Sequence, residues 1–352
     1  NANPSIINGD MQVAQRGTST ASITSTGYYT VDRIRLGVSS LGTWTSTQES
    51  LTSGNAYTDG FSNAFKIDCT TADGSPSASD SLSISQKFEG QDLQLLKKGT
   101  ANAEKITVAF WIKATKTGTF IAELYDHDNT RSCSKAYTVS SSNTWEHKVI
   151  NFPADTTGTL DDDNANSLTL FLWQGAGSSF TSGTLNTSWA SATNANRAVG
   201  QVNNADSTSN NVHITGLQME VGEYTSATLP PFQFESYGDN LFRCQRYYQL
   251  IAEGAAHNIG ISTAYNTATS WTIVRFITEM RSDAVTVEQD TGTNYYALLC
   301  ENSNTGFDNF LINQTRTNMM RISDDGSTGK SQGASGWFEC NASGRLAVED
   351  EL

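Results

Sequence analysis

Four aromatic residues, Trp111, Phe171, Trp173 and Trp189, and an acidic run, Asp161, Asp162 and Asp163, carry the side chains of this 352-residue sequence best suited to chemistry. An indole or phenyl face packs against the axial C–H groups of a sugar ring while nearby polar groups bind its hydroxyls. The same faces suit burial against another subunit or sheet, because exposed apolar patches mark interfaces. Both uses stay open from the residues alone. Three carboxylates followed by Asn164 offer hard oxygen donors of the kind calcium takes. They lack the full spacing and terminal Glu of a calcium loop, and acidic runs ahead of strands are commonly solvated turns.

Catalytic chemistry has little to stand on. His127, His147, His213 and His257 are scattered, with no spacing that would bind a metal or activate a nucleophile. His127, between Asp126 and Asp128, reads as part of a solvated turn. Neither a Gly-rich phosphate loop nor a dinucleotide fingerprint is present. Paired carboxylates for glycoside cleavage are assembled by a fold and not by spacing, so that reaction stays open. The reading is therefore a non-enzyme, with a polysaccharide-degrading tail enzyme as an alternative.

The formal charge of −14 opposes a nucleic-acid backbone, and no Lys/Arg cluster with interleaved aromatics offsets it, so nucleic acid is excluded as a partner. There is no apolar run of about 18 residues and no secretory signal, which argues against membrane insertion. Cys69, Cys133, Cys244, Cys300 and Cys340 are odd in number and widely spaced. They read as buried free thiols of a protein assembled in a reducing cytosol, although one pair could still bridge. Asn1 in place of an initiator Met fits either a processed chain or a longer protein lacking an N-terminal anchor.

The elements that must position these residues are strands. Charged residues make up 16% of the chain, Ser, Thr, Asn and Gly abound, and tryptophans recur along its length, which suits short strands joined by turns. The length allows two domains, 1–235 and 236–352. The run 105–114 alternates, with Ile106, Val108, Phe110 and Ile112 on a core face and Trp111 and Lys113 on the other. In 168–173, Leu168, Leu170 and Leu172 point inward and Phe171 and Trp173 outward. Trp145, in 143–152, is structural. The polar segment 174–210 is expected to be a structured loop that carries function or meets a partner. Val212, Ile214, Leu217 and Met219 form a last strand whose phase changes at Gly216, as a bulge requires. A three-turn helix capped by Asp239 follows, and a small terminal β domain covers roughly 259–352.

The junction 215–250 joins a strand end, Gln218-Met219-Glu220-Val221-Gly222, through Ser236-Tyr237-Gly238 to Cys244-Gln245-Arg246-Tyr247-Tyr248. This order resembles the segment closing an outer jelly roll in bacteriophage tail-fibre and receptor-binding proteins. Gln15-Arg16-Gly17, the stretch 30–36, Val274 to Phe276, Met280-Arg281 and Glu351-Leu352 resemble further parts of those proteins. The chain departs from them at Phe232-Gln233-Phe234-Glu235, where they carry Phe-Glu-His-Arg, and at Asp283, where they tend to have Pro.

The resemblance implies an all-β fold: a carbohydrate-binding-module-like jelly roll opening with a strand over 6–17 and a second over 30–36, then a short helix and a C-terminal β domain. It implies a virion fibre or receptor-binding component, assembled in the host cytoplasm as a homotrimer with other virion proteins, that attaches to host surface polysaccharide or glycan. It also implies a structural calcium near the first and last strands, with Asn8, Asp10 and Glu220 as candidate ligands. A purely structural virion part, such as a capsid decoration or head fibre, is the main alternative.

Overall fold

The chain, in a computed structural model, is described at residues 4–326, 328–341 and 343–352; Asn1 lies outside them. It divides into two units, one ending at Asn240 and the other covering Leu241–Glu351. Strands take 44% of residues and helices 8%, so the fold is all-β.

The first unit contains β1 (Ser19–Ile23), β2 (Gly27–Tyr28), β3 (Arg35–Ser39), β4 (Thr43–Ser50), β5 (Asn63–Thr71), β6 (Ser81–Glu89), β7 (Ile106–Ala114), β8 (Gly118–Asp126), β9 (Arg131–Val139), β10 (Glu146–Phe152), β11 (Asn166–Ala176), β12 (Ala190–Ser191) and β13 (Asn211–Val221). They form two antiparallel sheets, ordered β1-β4-β5-β13-β7-β10 and β12-β9-β8-β11-β6-β3-β2. Together these make a jelly-roll sandwich.

Period-two alternation sends one row of each strand into the space between the sheets. Phe65, Ile67, Val108, Phe110, Ile112, Val212 and Ile214 come from the first sheet and Leu82, Ile84, Phe120, Leu124, Leu168, Leu170 and Leu172 from the second, all 2% exposed or less. Each such side chain contributes about 1.5–3 kcal/mol by leaving water.

In β13 the phase change falls where expected. Pairing with β7 shifts register between Thr215 and Gln218, and Gly216 takes φ +62°. A Cβ there would lie 2.6 Å from the Phe61 ring, so left-handed backbone and close approach both require glycine. Leu217 and Met219 are thereby returned to the core.

Two expected strands are not strands. Residues 6–17 form turns, with Asn8 and Met11 at positive φ. Asn8 ties this turn down: its Nδ2 donates to the Val13 and Asp32 carbonyls, and its Oδ1 accepts from Val13 N. Of the second segment, 30–36, only Arg35 and Leu36 are strand, as the start of β3, because 30–34 is a buried turn. There Asp32 accepts from Gln15 N and Nε2, and buried Arg33 donates to the Lys87 carbonyl.

Segment 177–206 is not a free loop. It folds as α2 (Ser178–Thr181), β12 and short 3-10 turns across the outer face of the second sheet. Arg197 fixes it there, donating from Nε and Nη2 to the two carboxylate oxygens of Glu123 on β8 at 2.7 and 3.0 Å. Glu123 is fully buried and also accepts from Trp173 Nε1 at 2.9 Å. Burial pushes its carboxyl upward, against the opposing pull of Arg197. The guanidinium carbon lies 4.6–5.3 Å from the Tyr125, Phe171 and Trp173 ring centroids, a cation–π stack.

The helix after the sandwich, α3 (Tyr237–Cys244), has eight residues rather than three turns. Its cap is Ser236, not Asp239. Ser236 Oγ accepts from Asp239 N, the bond an N-cap side chain makes, and donates to Asp239 Oδ2.

The second unit holds β14 (Tyr248–Glu253), β15 (Asn258–Ala264), β16 (Ser270–Arg275), β17 (Thr286–Gln289), β18 (Tyr296–Cys300), β19 (Ser303–Phe307), β20 (Leu311–Arg316), β21 (Met319–Ser323), β22 (Ser335–Cys340) and β23 (Arg345–Glu349). A three-stranded sheet, β14-β23-β17, accompanies a seven-stranded one, β19-β18-β22-β15-β16-β21-β20. Their core is aromatic, with Tyr296, Phe307, Phe310 and Phe338 in edge or tilted contact at 4.6–5.8 Å. All five cysteines are free and buried, and burial pushes the Cys133 and Cys340 thiols up to about 12.

Removing Arg197 should strand the Glu123 carboxylate in an apolar site. Arg197→Ala is expected to lower the stability of the first unit by about 3–5 kcal/mol, whereas the apolar pair Glu123→Leu/Arg197→Met should lose far less. Urea unfolding followed by tryptophan fluorescence measures both, and equal losses would mean that the ion pair does not hold the segment.

Candidate functional site

The four aromatic candidates do not share a face. Trp111 lies on β7 of the first sheet, while Phe171 and Trp173 lie on β11 of the second. Outward faces of two packed sheets look in opposite directions. Trp173 is only 3% exposed, packed with Ile121 and Ala198 and against Phe180 at 5.3 Å, and Phe171 is half-buried beside it. The expected open aromatic surface on β11 is thus corrected: segment 177–206 covers it. Trp189 is half-buried as well. Its Nε1 donates to the Pro153 carbonyl, and Lys98 Nζ sits 4.8 Å from its ring. Beneath it, Lys98 pairs with Asp126 and Asp155, and Arg131 forks onto Asp155 at 2.9 Å. Burial raises the Asp155 carboxyl, but Arg131 and Lys98 overcome this and hold it below the ordinary range. Trp189 therefore caps a buried ion network.

Trp111 remains beside a cleft. Opposite it in register stand His147 on β10 and Thr215 on β13, and the indole and imidazole centroids are 5.0 Å apart. The turn after α1 (Asn55–Thr58) brings Asp59 and Phe61 to one side. The chain following β13 brings Leu229, Pro230, Phe232 and Phe234 to the other. Phe61, Phe232 and Phe234 pack against one another at 4.9–5.1 Å, which fixes that wall, while Phe234 stays 48% exposed. The open cleft has a volume of about 360 Å3, within the range of ligand pockets. Polar groups in its lining are Asp59, His147, Gln218 and Ser226. Burial lowers the His147 pKa, against a smaller opposing pull from Asp59, so the ring is neutral at neutral pH.

Beyond Trp111 the outward face of the first sheet is polar and half-buried, with His213 buried within it. His213 stands opposite Lys113 and Lys66 and contacts Glu49 at 3.2 Å. Lys66 Nζ lies 3.2 Å from Glu49 and 3.1 Å from Asp68. Burial, helped by Lys113, depresses His213 to about 4 despite Glu49.

Asp161, Asp162 and Asp163 are exposed. Asp163 Oδ1 caps Ala165 N two residues on, as a solvated turn does. Among the described residues no group of three or more His, Cys, Asp or Glu side chains is arranged to hold a metal. Of the set Asn8, Asp10 and Glu220, Asn8 is spent on its turn and on Asn240 Nδ2. Asp10, 3% exposed, leaves Oδ2 buried without a hydrogen bond. It lines a cavity of about 10 Å3 together with Gln218, Glu220, Glu235 and Asn240. Burial raises the Asp10 carboxyl, and Glu235 raises it further.

Sequence reasoning singled out Trp111 but missed Asp59, Phe61 and His147. The available signal was the departure at Phe234, where a phenyl ring stands in place of the His of the resembled tetrad. No protein-family description matches the chain, and no curated protein does. Solved structures similar to it include the enzymatically active domain of Bacteriophage CBA120 tailspike protein 4, at 14% identity and TM-score 0.30 over 62% of this chain and 21% of that one. Another is a family 61 carbohydrate-binding module in complex with β-1,4-galactotriose, at 10% identity and TM-score 0.29 over 62% and 99% of the two chains. A third is the N-terminal part of Clostridium thermocellum endo-1,4-β-D-xylanase 10B complexed with xylohexaose, at 11% identity and TM-score 0.28 over 60% and 30%. The chain spans about a fifth of the tailspike structure it matches. At these scores the likenesses bear on neither ligand nor activity.

The depressed His213 gives a pH dependence with a definite sign. An unfolded chain protonates this ring near 6.5, the folded one only near 4, so protons favour unfolding across that window. Stability should be insensitive to His213 above pH 7 and fall by about 2 kcal/mol between pH 6.5 and 4. His213→Gln should flatten this part of the profile, as measured by urea midpoints at stepped pH; identical slopes in both proteins would place the titration elsewhere.

Proposed function

We propose that the chain is a non-catalytic attachment component of a phage fibre, and that its sandwich takes a host surface glycan in the cleft beside Trp111. The observation that carries this is the cleft itself: an indole flanked by a neutral imidazole, a wall of three packed phenylalanines and a few polar groups at the rim. Apolar ring faces against C–H groups, with sparse hydrogen-bonding groups to set orientation, are what a saccharide needs. Among the described residues Asp59 is the only carboxylate in the lining, whereas glycoside cleavage ordinarily takes two; this supports binding without hydrolysis. That carboxylate and the −14 chain disfavour anionic sugars, so the ligand class is an uncharged saccharide.

The virion setting rests on the resemblance of residues 215–250 and of Gln15-Arg16-Gly17 to phage fibre proteins. In this reading the chain sits in a surface appendage of the virion beside other virion proteins, and is assembled in the host cytoplasm as a homotrimer. Weak sites repeated around such a trimer would attach by avidity.

A structural calcium also belongs to this proposal, at Asp10 and Glu220. Bound there it would satisfy the orphaned Asp10 oxygen and relieve the repulsion from Glu235. Calcium at millimolar concentration is then expected to raise the melting temperature of the wild type by several degrees and to leave Asp10→Asn unchanged. Equal melting in calcium and in chelator would remove the ion and leave a cavity the size of one water.

For the glycan, the measurement is binding to an array of bacterial surface oligosaccharides, followed by titration of the best ligand. Trp111→Ala and Phe234→Ala should each weaken binding about tenfold, as loss of one aromatic contact does, with melting of Phe234→Ala preserved. No ligand across the array, or affinity untouched by either change, would favour a purely structural virion part.

A further inference from the structure

We infer that the outward face of the second unit's seven-stranded sheet binds an acidic polysaccharide, with Trp271 and Arg321 at the centre of the site. Val274 of β16 and Met320 and Ile322 of β21 belong to the core. Their neighbours Trp271, Ile273 and Arg275, and Met319, Arg321 and Ser323, therefore point outward. Strand pairing sets these in three rows across β16, β21 and β20: Trp271, Ser323 and Leu311; Ile273, Arg321 and Gln314; Arg275, Met319 and Arg316. The rows hold three arginines and no carboxylate. Arg275 and Arg316 are exposed and Arg321 is half-buried. Acids on the adjoining turns are spent on local bonds. Asp324, buried just past β21, accepts from Ser270 N and Thr328 Oγ1, and Asp283 accepts from Thr317 N at the β20–β21 turn. The charge of −14 on the whole chain matters little at this spot, because exposed charges more than about 8–10 Å away are screened at physiological salt.

The same face carries a groove of about 410 Å3 lined by Ile261, Thr263, Trp271, Thr272, Ile273 and Arg321, the size of a small-ligand site. Trp271 supplies an aromatic plane. Tyr265 packs on it at 4.8 Å, and the Arg321 guanidinium carbon lies 4.9 Å from its ring centroid. The stack holds the guanidinium in place without spending its donors: Nε is buried with no hydrogen bond, and among the described residues Arg321 has neither a hydrogen bond nor an ion pair. A planar, permanently charged fork with free terminal donors takes a carboxylate by two parallel bonds. The plane beside it takes the C–H face of a sugar ring, and Ile261, 82% exposed, and Ile273 extend that apolar contact. A uronic acid brings ring face and carboxylate on one residue. Arg275 and Arg316 stand on either side of Met319, about 10 Å apart by strand spacing, and Met319 is about 7 Å along β21 from Arg321. Carboxylates on successive sugars of a chain would thus meet further cations. This site stands on the second unit by itself and does not rest on the cleft reading, whose ligand is uncharged.

The test is calorimetric titration of the full chain with oligogalacturonate, oligoalginate and hyaluronate fragments, beside the same fragments with their carboxyls reduced to alcohols and beside polyglutamate. At least one acidic fragment should bind, less tightly as salt is raised, and its reduced form and polyglutamate should bind at least tenfold more weakly. Arg321→Gln and Arg321→Lys should each weaken that binding about tenfold, since lysine keeps the charge and loses the fork. The exposed pair Arg275→Gln/Arg316→Gln should weaken it severalfold with unchanged melting, which gives a second reading should the Arg321 variants fail to fold. No binding of any acidic fragment, equal binding of the reduced form or of polyglutamate, or an affinity untouched by these changes overturns the inference. Trp111→Ala should leave acidic-fragment binding as it is, and Arg321→Gln should leave neutral-glycan titrations of the cleft as they are. Loss of acidic-fragment binding in Trp111→Ala would move that ligand to the cleft and overturn the inference as well.

Discussion

A carboxylate buried on the outer side of a sheet, Glu123, constrains much of the first unit. Taking a carboxylate out of water costs several kcal/mol unless a cation and further hydrogen bonds meet it. Arg197 and Trp173 do so, and Arg197 lies 74 residues further along the chain. A long polar stretch is therefore held at one place on the second sheet. Phe171 and Trp173, which would otherwise face solvent, become the floor under that stretch, and the guanidinium stacks among them.

Closing one outer face leaves the other for a ligand. On the first sheet the outward residues divide by chemistry. At one end Glu49 pairs with Lys66 and Lys113 beside the neutral His213 in a half-buried cluster, which fills the face and offers no apolar plane. At the other end Trp111 meets only His147 and Thr215 within the sheet, and the cover comes from rings on two separate connections. Because Phe61, Phe232 and Phe234 pack on each other, they form a wall beside the indole and do not collapse onto it. The cleft is the space between a flat sheet and this ring cluster.

The parts legible in the sequence were those governed by local periodicity. Alternation identified the core rows of β7 and β11, and the phase change at Gly216 marked the bulge in β13. What periodicity states is which way a side chain points, and it says nothing about what lies above it. Trp111 and Trp173 have the same local pattern, yet one lines a cleft and the other is sealed by a segment fixed at Arg197. Residues 6–17 and 30–34 misled for a related reason. Their apolar content serves buried turns tied together through Asn8, Asp32 and Arg33, and side-chain hydrogen bonds there replace the ladder of a strand. Ser236 displaced Asp239 as the helix cap because the helix starts at Tyr237, which leaves Asp239 inside the first turn as the N–H donor to Ser236 Oγ.

The same distinction between direction and cover explains why the two units differ. The first unit has long connections, 177–206 and the chain after β13, and it spends them on covering outward apolar residues. Connections in the second unit join neighbouring strands, cross to the small partner sheet or, from β19 to β20 and from β21 to β22, pass to a non-adjacent strand of the same sheet, and the outward residues Ile261, Ile273 and Trp337 stay exposed. Apolar surface in water is unfavourable in proportion to its area. Isolated exposed residues need no explanation, but a row running across adjacent strands does. The pleat accounts for the row: Ser262 and Val274 are buried on the inner side while Ile261 and Ile273 are exposed, and Ile259 reaches the core where the register shifts between Asn258 and Gly260.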